Sequence, residues 1–335
     1  MPISTATIVA IAGIAISATW LTSMLTRYLL LHWNIVDKPG NRSSHSAPVP
    51  RGGGIALITV AIVGWLTLSK IGLGHVLEVN VIASMAMLIA IVCWFDDVGN
   101  LSVGTRLCAQ FLVVGTSIVL IPIDFMWSGL FAHTLAKLAV AVAWLWFINI
   151  FNFMDGIDGI TGVETISICT GIAFTLGFLG SGADFSYLAI VLAASTLGFL
   201  IWNWHPAKLF LGDVGSIPLG FLIGWLLIEL AAAGQWAAAL ILPGYYLADA
   251  TLILLYRAVR LEPVWKAHKQ HFYQRAVAGR LTHSQASRAV VITNIWLISC
   301  ALLSSIFIPV GLVGAALGIL ALLLYFQLAA RKVGS

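Results

Sequence analysis

Five aspartates arrive in three short segments, the last two rich in amide, glycine or serine neighbours: Cys93-Trp94-Phe95-Asp96-Asp97, Asn149-Ile150-Phe151-Asn152-Phe153-Met154-Asp155-Gly156-Ile157-Asp158-Gly159, and Leu211-Gly212-Asp213-Val214-Gly215-Ser216. Adjacent carboxylates such as Asp96 and Asp97 repel each other unless a cation sits between them. The spacing of Asn149, Asn152, Asp155 and Asp158 puts each neighbouring pair on adjoining helix surface. Brought together, these segments would form a hard-oxygen site suited to Mg²⁺, with Mn²⁺ the alternative ion. Such an ion uses one or two protein carboxylates and completes its shell with water and substrate phosphate oxygens. The glycines would let backbone N–H groups approach a phosphate.

Two further segments carry complementary groups. His268-Lys269-Gln270-His271-Phe272-Tyr273-Gln274-Arg275 gathers cationic and hydrogen-bonding side chains able to clamp a pyrophosphate. A basic stretch of this kind also suits anionic lipid headgroups. No cysteine or third histidine joins His268 and His271 there, so zinc is not expected. The run from Asp37 to Gly54, with Arg42, His45, Arg51 and three consecutive glycines, reads as an irregular loop. Cys93, Cys108, Cys169 and Cys300 lie in apolar runs at spacings that fit neither a metal site nor a redox pair.

The elements that position these residues follow from composition. The 335 residues are 60% hydrophobic and 9% charged, which excludes a soluble core. Apolar runs long enough to cross a bilayer cover roughly 7–31, 53–69, 79–95, 106–122, 131–151, 161–179, 185–203, 216–233, 236–259, 289–308 and 310–330. The sequence therefore predicts a single all-α polytopic domain of about eleven transmembrane helices, or ten if the last pair forms a re-entrant end. With eleven spans, every Lys and Arg except Lys70 and Lys137 falls on one side. That asymmetry places the N-terminus outside and the C-terminus in the cytoplasm. Cytoplasmic loops are expected at about 32–52, 96–105, 152–160, 204–215 and 260–288, and all five aspartates lie on that face. Glu78, Asp124 and Asp184 fall opposite and read as solvated loop residues. Within the spans, Glu164, Glu229 and Asp249 have no assigned partner.

Taken in order, DKPGNRSSH and PRGGG, FDDVGNLS, NIFNFMDGIDG, FLIWNWHPAKLFLGDVGS and HKQHFYQR resemble the polyprenyl-phosphate N-acetylhexosamine-1-phosphate transferases, a glycosyltransferase family 4 type. Val98-Gly99-Asn100 departs from the pattern, since many relatives carry a charged residue soon after the acidic pair. The last segment is closest to the branch that initiates O-antigen synthesis.

The resemblance implies transfer of a hexosamine 1-phosphate from a UDP-sugar to undecaprenyl or another polyprenyl phosphate, releasing UMP, as the first membrane step of lipopolysaccharide or cell-envelope polysaccharide synthesis. It implies Mg²⁺ on Asp213, with Asp155 as a further ligand, and catalytic roles for Asp96, Asp97, His268, His271 and Arg275. It also implies substrate contacts from Asn149, Asn152, Asp155, Asp158, Asn203, Phe210, His45 and Arg51. The setting would be the bacterial inner membrane, with the lipid bilayer as partner, no nucleic acid, and a homodimer as the assembly. The rival class is a transporter of nucleotide sugar or ions. It is disfavoured because no internal repeat is visible and the acids sit at helix ends instead of the midplane.

Overall fold

Long apolar runs with few interior charges have one low-energy solution in lipid, a helix that satisfies its own backbone. The computed structural model of the protein is built that way and describes residues 5–37, 48–99, 101–121, 130–179, 183–263 and 268–331. In chain order come α1 (Thr5–His32), the short strands β1 (Val36–Asp37) and β2 (Val49–Pro50), α2 (Gly54–Lys70), α3 (Val76–Gly99), α4 (Val103–Leu120), α5 (Leu130–Phe153), α6 (Ile160–Leu179) and α7 (Ala183–Asn203). They are followed by α8 (Asp213–Leu230), a π-type segment (Ala231–Gln235), α9 (Trp236–Ile241), α10 (Gly244–Val259), α11 (Phe272–Gly279), α12 (His283–Ser304) and α13 (Ile308–Ala329). Among the described residues, nine helical segments are long and apolar enough to cross a membrane.

The expected spans meet this architecture with several adjustments. α2 has 17 residues and rises about 26 Å at 1.5 Å per residue, slightly under the roughly 30 Å hydrocarbon thickness. The expected spans 216–233 and 236–259 are not two plain helices. α8 continues through the π-type segment into α9, where Gly234 takes a φ of 86° that only glycine adopts freely. Pro243, which has no N–H to give, then separates α9 from α10. The last two spans are separate 22-residue helices packed on each other. The expected loop at 96–105 is mostly helix, because α3 carries Asp96 and Asp97 in its last turn and α4 begins at Val103. The loop at 260–288 likewise contains α11 and the start of α12. An all-α reading also misses the antiparallel pair β1 and β2, with Val36 opposite Pro50.

Caps fix two helix starts that matter for the site. The Ser102 hydroxyl accepts the Thr105 N–H (3.1 Å) ahead of α4. Thr282 and Gln285 form a reciprocal capping box at α12.

α8 is the hub of the bundle, buried on nearly every face from Val214 to Leu227 and packed against α2, α3, α5, α6 and α7. Gly224 admits the Trp144 indole, which a Cβ there would meet at 2.4 Å. Trp144 then stacks on Phe221 at 4.8 Å and donates to its carbonyl at 3.0 Å. Large apolar side chains such as Ile14, Val119, Val142 and Ile292 point outward and are mostly exposed. A surface that apolar has lipid as its natural solvent.

Candidate active site

The glycine segments prove to be a backbone seam. Gly52 and Gly53 N–H groups donate to the Phe210 carbonyl (3.2 and 2.8 Å), Gly54 N–H donates to Leu211 (2.8 Å), and Phe210 N–H donates to Pro50 (2.8 Å). The starts of α2 and α8 then touch. A Cβ on Gly54 would lie 2.2 Å from Gly215 Cα, so only glycine permits this crossing. At Gly212, with φ 76°, a Cβ would lie 2.5 Å from the Asp97 carboxylate. Sequence reasoning took these glycines as phosphate-facing; their demonstrated work is to let helix tips meet.

Around the seam, three aspartates and two arginines interlock. Asp97 accepts the Asp213 N–H through Oδ1 (3.1 Å) and the Val214 N–H through Oδ2 (3.0 Å), capping α8 from another helix. Asp96 accepts the Leu101 N–H through Oδ1 (2.7 Å) and pairs with Arg106 through Oδ2 (3.0 Å). Asp213 presents Oδ1 to Arg51 Nη2 (2.7 Å) and Oδ2 to Arg106 Nη1 (2.9 Å). Arg51 also reaches Asp97 at 2.9 Å. Burial works against the Arg51 charge, yet Asp97 and Asp213 hold its pKa above the ordinary value. Arg106 was not among the sequence candidates. The signal for it was its position in the first turn of the helix after the acidic pair.

The central loop adds a second group. Asn152 accepts the Ser216 hydroxyl at 2.6 Å, tying α5 to α8. Burial pushes the Asp155 carboxyl up to about 6, while a hydrogen bond from Thr161 works the other way and the Asp213 charge adds to the rise. Burial alone would also raise Asp158, but hydrogen bonds from His283 and His205 hold it below the usual carboxylate range. His205 Nδ1 lies 2.7 Å and His283 Nδ1 3.3 Å from Asp158 Oδ2, which also accepts the Ala207 N–H at 3.1 Å. Neither histidine was a candidate. Asn203 uses both ends of its amide on backbone, accepting from Gly159 and donating to Leu209, each at 3.0 Å. It therefore fixes one loop to another. Asn149 stands apart, donating to Gln110 Oε1 and the Leu145 carbonyl, both at 2.7 Å.

The histidine segment is anchored from beneath. His271 is buried, with Nδ1 3.1 Å from Oδ1 of the fully buried Asp249. The same carboxylate accepts the Phe272 N–H (3.1 Å) and the Tyr245 hydroxyl (3.2 Å). Asp249 thus has the partner that the sequence could not name. His268 lies against His271 with ring centroids 4.9 Å apart and the planes tilted by 32°. Burial, His271 and Arg257 bring the His268 pKa down to about 4. That shift favours the neutral imidazole at pH 7 and places His268 among the hydrogen-bonding side chains of the segment. Arg275 lies over the Phe272 ring at 4.6 Å. Tyr273 packs its hydroxyl on Gly156, where a Cβ would lie 2.3 Å away, and so joins α11 to the aspartate loop. Glu164 accepts from Asn294 of α12 at 2.7 Å, deep in the bundle. His45 lies outside the described residues.

Asp96 and Asp213 share one guanidinium nitrogen, Asp97 lies directly behind them, and Asp155 feels the charges of Asp213, Arg51 and Asp97. The donors around Asp213 are all carboxylate oxygens, which fits a hard divalent ion. Asp158, His205 and His283 also offer three ligand atoms within 4.8 Å of one another. Hydrogen bonding already accounts for that cluster.

The glycosyl transferase family 4 profile matches residues 79–231, which include Asp96, Asp97, Arg106, Asn152, Asp155, Asp158, Asn203 and Asp213. A Bacillus subtilis protein named "Probable undecaprenyl-phosphate N-acetylglucosaminyl 1-phosphate transferase" is 28% identical over 314 residues, 89% of this chain and 84% of that protein. The decaprenyl-phosphate N-acetylglucosaminephosphotransferase of Mycolicibacterium smegmatis is 29% identical over 232 residues, 62% of this chain and 56% of that protein. The phospho-N-acetylmuramoyl-pentapeptide-transferase of Clostridium beijerinckii is 36% identical over 107 residues, 32% of each chain.

Proposed function

Since the chain belongs to glycosyl transferase family 4, the polyprenyl-phosphate N-acetylhexosamine-1-phosphate transferases, we propose that its interlocked aspartates and arginines transfer an N-acetylhexosamine 1-phosphate from a UDP-sugar to polyprenyl phosphate. A phosphate oxygen of the lipid attacks the β-phosphorus of the nucleotide sugar, the bond to the α-phosphate oxygen breaks, and UMP leaves. Work of this kind is mostly positioning and charge neutralisation. Arg51 and Arg106 supply positive charge that cannot be titrated away and that suits bidentate phosphate contact. A divalent ion held by Asp213, with Asp96 or Asp155 beside it, would withdraw negative charge from the phosphate oxygens.

A phosphate monoester has a second pKa near 6, so the lipid is mostly dianionic at pH 7 and a strong base is unnecessary. The Asp96 contacts with Leu101 N–H and Arg106 suit a positioning role. His268, with its pKa lowered and its ring tilted against His271, suits hydrogen bonding to the leaving or entering phosphate. UDP-N-acetylglucosamine is the first donor to test, by analogy with the names of the relatives. The lysine and arginine asymmetry favours the cytoplasmic face of the bacterial inner membrane for this chemistry, and cell-envelope polysaccharide synthesis as its use.

The observation that carries this reading is Asp213, gripped on both oxygens at the meeting point of α2, α3, α4 and α8. Purified protein given UDP-N-acetylglucosamine, polyprenyl phosphate and Mg²⁺ should release UMP and form a lipid-linked sugar diphosphate. Asp213→Asn should abolish both; wild-type UMP release from that variant would remove Asp213 from the chemistry.

A further inference from the structure

Each oxygen of Asp213 faces a different arginine, and each arginine also holds a second aspartate. Arg51 Nη2 lies 2.7 Å from Asp213 Oδ1 and 2.9 Å from Asp97 Oδ1, while Arg106 Nη1 lies 2.9 Å from Asp213 Oδ2 and 3.0 Å from Asp96 Oδ2. The layering is also ordered. Side chains of Asp97, Asp96 and Asp213 are 1%, 8% and 14% exposed, whereas Arg106 and Arg51 are 27% and 39% exposed. The carboxylates form the floor and the guanidinium groups lie over them.

A lone pair aimed at an arginine N–H is not free to bind a metal ion. Each carboxylate oxygen keeps a second lone pair, but arginine cannot lose its proton, so an ion at Asp213 meets two fixed positive charges unless a guanidinium moves. A displaced guanidinium that has left its carboxylate needs another anion. The diphosphate of the nucleotide, or the lipid phosphate, is the anion this site would receive.

We infer that Arg51 and Arg106 are built-in counter-cations, which hold the three aspartates together before substrate arrives and exchange carboxylate for phosphate when the divalent ion enters. This rests on the metal and nucleotide reading above. Its consequence is coupling: the ion alone binds weakly because it competes with two tethered cations, and nucleotide strengthens ion binding by taking up the displaced arginines. Linkage requires the converse, that the ion strengthens nucleotide binding by the same factor.

The experiment is Mn²⁺ binding to the purified full chain, followed by electron paramagnetic resonance with and without UDP, so that no turnover is involved. Wild-type affinity for Mn²⁺ should rise roughly tenfold or more with UDP, within the usual range of coupling between sites. Arg106→Gln frees Asp213 Oδ2 and should bind Mn²⁺ severalfold more tightly than wild type without UDP, with the enhancement by UDP reduced. Arg51→Gln repeats the test on the other oxygen, in case one variant is unstable. If both variants fold and bind Mn²⁺ alone no more tightly than wild type, while Asp213→Asn loses binding, the counter-cation role is wrong and the metal site stands. Should Asp213→Asn bind Mn²⁺ as wild type does, the metal assignment itself falls, and this inference with it.

Discussion

Two imidazoles and one backbone N–H converge on a single oxygen of Asp158, which is why this buried acid keeps its charge. Its lowered pKa contributes stability that is fully present above the unfolded carboxyl value of about 3.9 and is lost as pH falls through the folded value. His283→Ala should therefore lower the thermal midpoint at pH 7 and lower it less at a pH below the folded Asp158 value, where that carboxyl is protonated with or without the partner. Equal losses at both pH values would mean that packing, not the charge, is what His283 supplies. Asp249 carries a second prediction. Asp249→Asn weakens the hold on His271, and kcat should fall by about 100-fold, the scale of a displacement of about 1 Å at a reacting group, with an altered pH profile; an unchanged profile would leave Asp249 a purely structural role. The aspartates were legible in the sequence because carboxylates cluster at helix ends only for a reason. Their partners were not: His205 and His283 reach Asp158, and Asp249 reaches His271, across the fold, where no local pattern marks the match. Asn149 shows the opposite error: it shares the spacing of Asn152 and Asp155 yet bonds into the bundle with Gln110.

At the level of elements, hydrophobic run length located the helices well, because in lipid a long apolar segment has so few alternatives. It located their ends poorly. Asp96 and Asp97 read as loop residues but stay helical, since Asp96 receives the Leu101 N–H and Asp97 caps the tip of α8. The break between α9 and α10 was also hidden, because Pro243 sits in composition as apolar as the span around it. The crossing of α2 and α8 yields a sharp expectation. Gly54→Ala places a methyl against the Gly215 backbone, which has no flexible side chain to move aside. Overpacking of this sort costs about 1–3 kcal/mol, so the variant should show a lower thermal midpoint and a much reduced UMP yield. Normal stability together with normal activity would show that the two helix tips are freer to separate than their contact suggests.

For the molecule as a whole, the interlocked aspartates and arginines lie where α2 starts, and Lys70 lies where α2 finishes. With the site facing the cytoplasm, a membrane-impermeant maleimide added to right-side-out vesicles should label Lys70→Cys and spare Arg280→Cys, in a background where the exposed Cys108 is replaced. The reverse pattern would invert the proposed orientation. Composition made the membrane class plain from the outset, whereas the way the last turn of α3 and the start of α8 share one floor became visible only in three dimensions. The seam between residues 50–54 and 210–211 bears on how such a protein can diverge. Four main-chain bonds join segments far apart in the chain, and main-chain bonds are indifferent to which side chains flank them. Most neighbouring positions are thus free to drift while the scaffold keeps its shape, and the glycines are the letters that cannot be respelled.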